Sequence, residues 1–288
     1  MSAEPTVHLD GAWLPLSQAR VPVLDRGFIF GDGVYEVIPV YGRRPFRLPQ
    51  HLARLERSLA AIRLDPPLDA RGWTALIDEL LARNPGGDRS VYLQVTRGPA
   101  RRDHAFPRAP TPTVFAMVSP LNPPDPALLE EGAAAVVLED IRWSRCDIKS
   151  VNLLANILLR QQAVERGALE AILVRDGQVT EGAASNVFIV RAGEIRTPPT
   201  SRFMLPGITR DLVLELARAH GLPCREVPVS ESELRGADEI WITSSTREVL
   251  PVTRLDGRPV GTGPGPVWRR IMPLYQEYKR SLREAAGA

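Results

Sequence analysis

Four prolines fall within eight residues at Ser119-Pro120-Leu121-Asn122-Pro123-Pro124-Asp125-Pro126, inside a chain of 288 residues. Proline has a fixed φ and no amide hydrogen, so neither a strand ladder nor a helix interior runs through such a cluster. The stretch therefore reads as a linker over 119–126 between two domains, 1–118 and 127–288. Each piece fits the usual domain length of ~100–200 residues and can bury a core of its own.

Within the first piece, strands at 7–9 and 12–14 flank Asp10-Gly11, a pair suited to the positive φ angles of tight hairpin turns. A second hairpin is predicted from 34–41, Gly42 and 45–48. Two helices follow. In the first, Leu52, Leu55, Leu59 and Ile62 recur at spacings of three and four, leaving Arg54 and Arg57 off the apolar stripe, where a solvated position is expected. The second covers about 70–83, and strands at 91–96 and 113–118 close the domain. The second piece reads as strand 134–138, helix 151–166, strand 171–174, a turn at Asp176-Gly177 and strand 187–190. Helix 209–220, strands 239–243 and 249–255, and helix 267–282 complete it. Strands in runs with interspersed helices indicate an α+β class with two domains rather than a regular βαβ alternation.

Several functions are excluded at this level. No apolar run approaches the ~18 residues that a membrane helix needs. Positions 1–10 show no basic region followed by the apolar core of a secretory signal, and the two cysteines, Cys146 and Cys224, fit the reducing cytoplasm expected for this protein. A net charge of +2 with interspersed signs offers no basic stripe for nucleic acid. Cys146 and Cys224 make no disulfide framework, and His8, His51, His104 and His220 show no metal-ligand spacing. There is no GxGxxG and no P-loop.

The basic residues carry more information. Of 36, only Lys149 and Lys279 are lysines. Arginine stays protonated, whereas an ammonium can lose its proton in a suitable environment and act as a base or form a Schiff base with a carbonyl. Lys279 lies in the charged run Gln276-Glu277-Tyr278-Lys279-Arg280 and reads as a solvated helix residue. Lys149, in Arg145-Cys146-Asp147-Ile148-Lys149-Ser150, lies between a predicted strand and an apolar helix, where a rigid frame can display a reactive group. Gly207-Ile208-Thr209-Arg210-Asp211 opens a helix whose first amides suit a phosphate, although most such starts are only caps. Thr243-Ser244-Ser245-Thr246 offers clustered hydroxyls. Glu181 stands alone among the small residues of Thr180-Glu181-Gly182-Ala183-Ala184-Ser185-Asn186, where a carboxylate could face a ring nitrogen. A reactive lysine with two phosphate-friendly loops points to pyridoxal 5′-phosphate.

Five motifs occur in order: Phe30-Gly31-Asp32-Gly33-Val34-Tyr35-Glu36-Val37, Arg142-Trp143-Ser144-Arg145-Cys146-Asp147-Ile148-Lys149-Ser150, Thr180-Glu181-Gly182 through Ser185-Asn186-Val187-Phe188, Gly207-Ile208-Thr209-Arg210, and Thr243-Ser244-Ser245-Thr246. Together they resemble the fold-type IV (class IV) pyridoxal-phosphate aminotransferases, the bacterial D-amino acid aminotransferase branch in particular. The likeness spans about residues 7 to 282. It implies a two-domain fold-type IV architecture with the active site between the domains and the Schiff-base lysine, Lys149, in the C-terminal one. Glu181 would pair with the pyridine nitrogen. Arg54, Ile208, Thr209 and Ser245 would hold the phosphate, and Leu205 would support one ring face. The position of Arg54 comes from the family alone.

The segment Thr96-Arg97-Gly98-Pro99-Ala100-Arg101-Arg102-Asp103-His104 bears on the substrate. In the D-amino acid branch an Arg, a His two residues later and a Tyr trap the substrate α-carboxylate; these correspond to Arg102, His104 and Tyr35. The family's trap is completed across a dimer interface, so a homodimer is implied. The expected reaction is ping-pong transamination of D-amino acids such as D-alanine with 2-oxoglutarate as acceptor. A branched-chain L-amino acid aminotransferase, a 4-amino-4-deoxychorismate lyase and a non-catalytic pyridoxal-phosphate-binding protein remain as alternatives.

Overall fold

The computed structural model describes residues 4–284; positions 1–3 and 285–288, the outer ends of the two expected domains, lie outside the described residues. The chain divides into two compact units. The first comprises the chain up to Asn122, the segment Ile148–Asn152 and residues 282–284. The second comprises Pro123–Asp147 and Leu153–Ser281.

The first unit is built from β1 (Thr6–Leu9), β2 (Ala12–Pro15), α1 (Arg26–Phe30), β3 (Gly33–Tyr41), β4 (Arg44–Pro45), α2 (Leu48–Ala61), α3 (Ala70–Arg83), β5 (Arg89–Thr96) and β6 (Thr113–Pro120). Its strands form one antiparallel sheet in the order β2-β1-β6-β5-β3-β4. Leu52, Leu55 and Leu59 of α2 and Trp73, Ile77 and Leu80 of α3 pack with Val34, Ile38, Val91, Leu93 and Val95 of the sheet. Each such side chain contributes roughly 1.5–3 kcal/mol by leaving water. The hairpin expected over 45–48 is shorter than predicted, because Leu48 opens α2 and Pro49 sits in its first turn, where a missing amide hydrogen costs nothing. The same rule trims the expected linker. Pro120 ends β6, and Pro126 opens a helix capped by Asp125, which accepts from the Ala127 amide at 3.0 Å.

In the second unit α4 (Pro126–Glu130), β7 (Ala133–Glu139), α5 (Leu154–Glu165), β8 (Glu170–Arg175), β9 (Gln178–Gly182), β10 (Asn186–Arg191) and β11 (Glu194–Thr197) come first. They are followed by α6 (Ile208–Ala219), β12 (Cys224–Glu226), α7 (Glu231–Arg235), β13 (Glu239–Ser244), β14 (Glu248–Leu255), β15 (Arg258–Pro259) and α8 (Trp268–Glu284). The mixed sheet runs β12-β11-β10-β13-β14-β7-β8-β9, with β15 on β14. β8, β10 and β13 each bury five consecutive residues, the pattern of strands covered on both faces.

Several expectations are corrected. The helix expected over 151–166 begins only at Leu154. The residues before it pair with the start of β3: the Tyr35 amide donates to the Lys149 carbonyl at 2.9 Å and the Val151 amide to Gly33 at 3.0 Å. Because β4 pairs only with Val40 and Tyr41, the beginning of that edge needs other partners. Lys149 therefore packs with the first unit and not, as expected, with the C-terminal one. Glu181, expected in a loop, lies within β9. Lys279 is not solvated: it is 5% exposed and pairs with the buried Glu248. It falls on the same stripe of α8 as Trp268, Ile271, Met272 and Tyr275, so position on the helix overrides the charge of its neighbours.

Candidate active site

In the first unit Lys149 is held by backbone on both sides. Its amide donates to Ser58 Oγ of α2 at 3.2 Å, its carbonyl is tied to β3, and its Nζ lies 4.2 Å from the centre of the Tyr35 ring. Tyr35 stacks on Tyr92 at 5.7 Å, which fixes the surface under the amine.

Below that surface is a buried charge cluster. Arg54 is 3% exposed, which overturns the solvated reading of its helix position. Its Nε and Nη2 donate to the two oxygens of Glu36 at 2.7 and 2.8 Å, and His51 Nδ1 meets Glu36 Oε2 at 2.7 Å. Burial pushes the Glu36 carboxyl up, but the charges and hydrogen bonds of Arg54 and His51 outweigh it and hold the group far below the ordinary carboxylate range. Burial lowers His51, aided by the charges of Arg54 and Lys149. A guanidinium fork on a carboxylate is a rigid mount.

Tyr35, Arg102 and His104 fall into two groups within this unit. Tyr35 lies with Lys149, whereas Arg102 and His104 gather on Phe30: the Arg102 guanidinium carbon is 5.6 Å from the ring centre and the His104 ring 5.3 Å.

The second unit centres on Glu181. One of its oxygens accepts from Arg142 Nη1, the other from the Leu205 amide at 3.0 Å and Asn186 Nδ2 at 3.2 Å. Burial pushes its carboxyl from 4.5 up to about 7, against the pull of Arg142 and the Leu205 amide. Arg142 is itself aligned by Asp140, to which Nε and Nη2 donate at 2.9 Å each. Asn186 Nδ2 also donates to the Leu205 carbonyl at 2.9 Å, so one amide fixes both Glu181 and Leu205. Cys146 is no nucleophile at neutral pH, because burial pushes its thiol up to about 11.

From Leu205 the chain passes through Gly207, the N-cap of α6, which supplies no side-chain cap. The first amides of a helix have no carbonyl one turn back. Here they are those of Ile208 and Thr209, and Thr209 Oγ1 is buried without a hydrogen-bond partner. Thr243 Oγ1, at the end of β13 just before Ser244 and Ser245, is buried and unpartnered as well. Orphaned buried hydroxyls and the uncapped first amides of a helix are donors of the kind an anionic phosphate takes up. A buried carboxyl poised near neutrality suits the protonated nitrogen of a pyridine ring. The residues present therefore fit pyridoxal 5′-phosphate.

Sequence reasoning missed Arg142, Asp140, Asn186 and Glu36. Arg142, Asn186 and Glu36 lie inside the five motifs, but their roles depend on which residues face them in the fold. Among the described residues no helix is long and apolar enough to cross a membrane, and no group of three or more His, Cys, Asp or Glu could hold a metal ion.

Comparison with known proteins agrees with this chemistry. The class IV amino-transferase family profile matches residues 33–255. The D-alanine aminotransferase of Bacillus licheniformis is 43% identical over 271 residues, 94% of this chain and 95% of that one. The branched-chain aminotransferase of the archaeon Thermoproteus uzoniensis, solved with norvaline, superposes with a TM-score of 0.89 at 29% identity, covering 99% of this chain and 97% of that one. A branched-chain amino acid aminotransferase from T.th., solved with pyridoxamine 5′-phosphate, gives 0.89 at 28% identity over the same shares. The fold and the site thus define a pyridoxal-phosphate enzyme of the fold-type IV architecture. The chain belongs to the class IV aminotransferases.

Proposed function

We propose that this chain transaminates D-amino acids such as D-alanine, with 2-oxoglutarate as acceptor, in a ping-pong reaction carried by Lys149. The observation that carries the reading is whole-length similarity to a D-alanine aminotransferase, and the gathering of Arg102 and His104 on the Phe30 ring supports it. Bound pyridoxal phosphate supplies an electron sink for the pair left when the substrate's Cα–H bond breaks. Lys149 Nζ would hold the cofactor and, as a free amine, would take the substrate's Cα proton. Glu181, steadied by Arg142 and Asn186, holds the ring-nitrogen proton. Arg54, Ile208, Thr209 and Ser245 bind the phosphate, and Leu205 supports the ring. Arg102, His104 and Tyr35 bind the substrate α-carboxylate, a guanidinium fork matching its two oxygens.

Tyr35 meets Lys149 and Tyr92 whereas Arg102 and His104 meet Phe30, an arrangement that supports a trap completed by a second copy, and we assign a homodimer. Exposed apolar side chains support it: Val23 and Phe28 in the first unit, and Leu154, Ile157 and Leu158 on α5 in the second. A monomer in sedimentation at micromolar concentration would refute the assignment. Two free cysteines, Cys146 and Cys224, fit a reducing compartment, and we place the chain in the cytoplasm.

The deciding experiment mixes holoenzyme with D-alanine or L-alanine and follows the cofactor absorbance. Loss of the band with the D enantiomer only is expected. A response to L-amino acids only, with branched side chains preferred, would install the branched-chain reading, the activity for which the solved neighbours are named. Pyruvate release without an acceptor would point to the lyase, and an unchanged band with every amino acid to a protein that binds the cofactor without turnover.

A further inference from the structure

The loop that carries Arg102 and His104 is exposed from Arg101 to Phe106, so little apolar burial holds its shape. One buried side chain does. Arg26, 3% exposed, donates from Nη1 to the carbonyls of Asp103 and Ala105 at 2.6 and 3.3 Å, and from Nη2 to that of His104 at 3.4 Å. Three consecutive carbonyls turned onto one guanidinium fix the backbone on both sides of the His104 side chain. The same guanidinium lies 4.9 Å from the centre of the Phe30 ring, the ring on which Arg102 and His104 rest.

The anchor is itself immobilised. Arg26 Nε donates to Asp32 at 2.8 Å, and Asp32 is gripped from the other side by Arg97 at 2.8 and 3.1 Å. Arg97 continues to the Ile62 carbonyl at 2.6 Å and the Arg63 carbonyl at 3.2 Å, and covers the Phe106 ring at 3.7 Å. The Arg26 amide donates to Gly98 at 3.0 Å. The preceding residue, Asp25, caps α1 and accepts from Thr96 and Thr113 at 2.9 and 2.8 Å. The loop thus hangs from a frame connected to β5, β6 and the end of α2.

We propose that Arg26, with Phe30, is a positioning residue for substrate carboxylate recognition: it sets where Arg102 and His104 present their donors and so determines the preference for substrates bearing an α-carboxylate. The proposal rests on the reading that Arg102 and His104 bind that group. Lysine cannot replace Arg26, because one ammonium cannot span three carbonyls and a carboxylate as a planar fork does.

The test compares holoenzyme variants by the kcat/KM of the half-reaction with D-alanine divided by that with D-alaninamide, which lacks the carboxylate. Misplacing a binding group by about 1 Å can cost up to about a hundredfold. Arg26→Lys is therefore expected to lower the ratio about ten- to a hundredfold through a higher KM for D-alanine, with kcat little changed. Arg102→Ala should lower it as well. A lowered ratio in Arg102→Ala with an unchanged one in Arg26→Lys overturns the proposal and leaves the carboxylate reading standing. An unchanged ratio in Arg102→Ala refutes that reading and the proposal with it. If Arg26→Lys does not fold, Phe30→Leu decides: Phe30 is only half-buried, and its removal takes away the seat of Arg102 and His104 while sparing the Arg26 hydrogen bonds. A ratio lowered about tenfold or more supports the proposal, and an unaltered ratio overturns it.

Discussion

Replacing Glu181 with glutamine should stabilise the cofactor-free protein at alkaline pH while damaging its chemistry. In the folded chain the Glu181 carboxyl titrates at about 7 instead of 4.5, so folding favours its neutral form. That contribution is fully present below pH 4.5 and is lost as pH rises through about 7. At 1.36 kcal/mol per pH unit the interval amounts to about 3 kcal/mol, of which about 2.5 kcal/mol falls between pH 5 and 8.5. Glutamine carries no titration. Its NH2 group must face either Arg142 or the Leu205 amide, both donors, at a pH-independent cost of roughly 1–3 kcal/mol. That offset cancels when two pH values are compared. Urea unfolding of apoprotein at pH 5 and 8.5 should therefore show Glu181→Gln gaining about 2.5 kcal/mol on the unsubstituted chain across the interval. Saturating cofactor should suppress the difference, because a protonated ring nitrogen gives the ionised carboxylate a partner. Parallel stability curves for the two apoproteins would refute the assignment of a raised Glu181 pKa and the role built on it.

Lys149→Arg keeps a positive charge beside Tyr35 but has no amine to form a Schiff base; turnover should vanish, and near-normal activity in a steady-state assay would remove Lys149 from the mechanism. A Cβ at Gly207 would run into Asn186 Oδ1, so Gly207→Ala should displace Asn186 from both Glu181 and Leu205; a weaker cofactor Kd, read by fluorescence titration, is expected to accompany a lower kcat. Glu36→Gln leaves the Arg54 guanidinium buried beside a neutral amide, a change that typically costs about 3–5 kcal/mol and should appear as a lower urea midpoint. His51 is buried with a lowered pKa, so the stability its neutral ring contributes above pH 6.5 is lost on acidification; His51→Asn should flatten the stability curve below that pH.

Much of the fold was legible because it depends on local signals. Apolar spacing marked α2 and the Asp-Gly pairs marked two turns, while the proline cluster has its own ends absorbed into β6 and α4. Lys149 and Glu181 stood out as singular residues in unusual settings. What stayed hidden is pairwise. Nothing local tells that residues 149–151 pair with the start of β3, because the vacancy they fill is created by the shortness of β4. Arg54 looks solvated on a helical wheel, since a wheel cannot show that Glu36 meets it from β3, and Lys279 looks solvated only because its charged neighbours in sequence hide its place on the apolar stripe of α8. Asn186 is an ordinary strand opener until Gly207, with no side chain, approaches closely enough for one amide to serve Glu181 and Leu205 together.

The bias toward arginine acquires a physical cause at the same points. Arg54 on Glu36, Arg142 on Asp140 and Glu181, and Arg26 and Arg97 on Asp32 each use a fork whose donors are fixed in a plane. Arg142 sits behind Glu181 and Arg26 behind the loop of Arg102 and His104, whereas Arg54 is itself proposed to reach the phosphate. A buried ammonium could neutralise the same carboxylates, but its donors rotate about one point and would leave the carboxylate free to turn. Lysine remains at two positions. At Lys279 it meets Glu248 together with Gln276 Oε1 at 3.2 Å, a point-like contact that needs no fork. At Lys149 a fork would be chemically useless, because the proposed reaction needs a nitrogen that can shed its proton, bond to carbon and release it again. Charge alone therefore does not explain the distribution. Guanidinium serves where geometry must be held, and an amine where a bond must be made and broken.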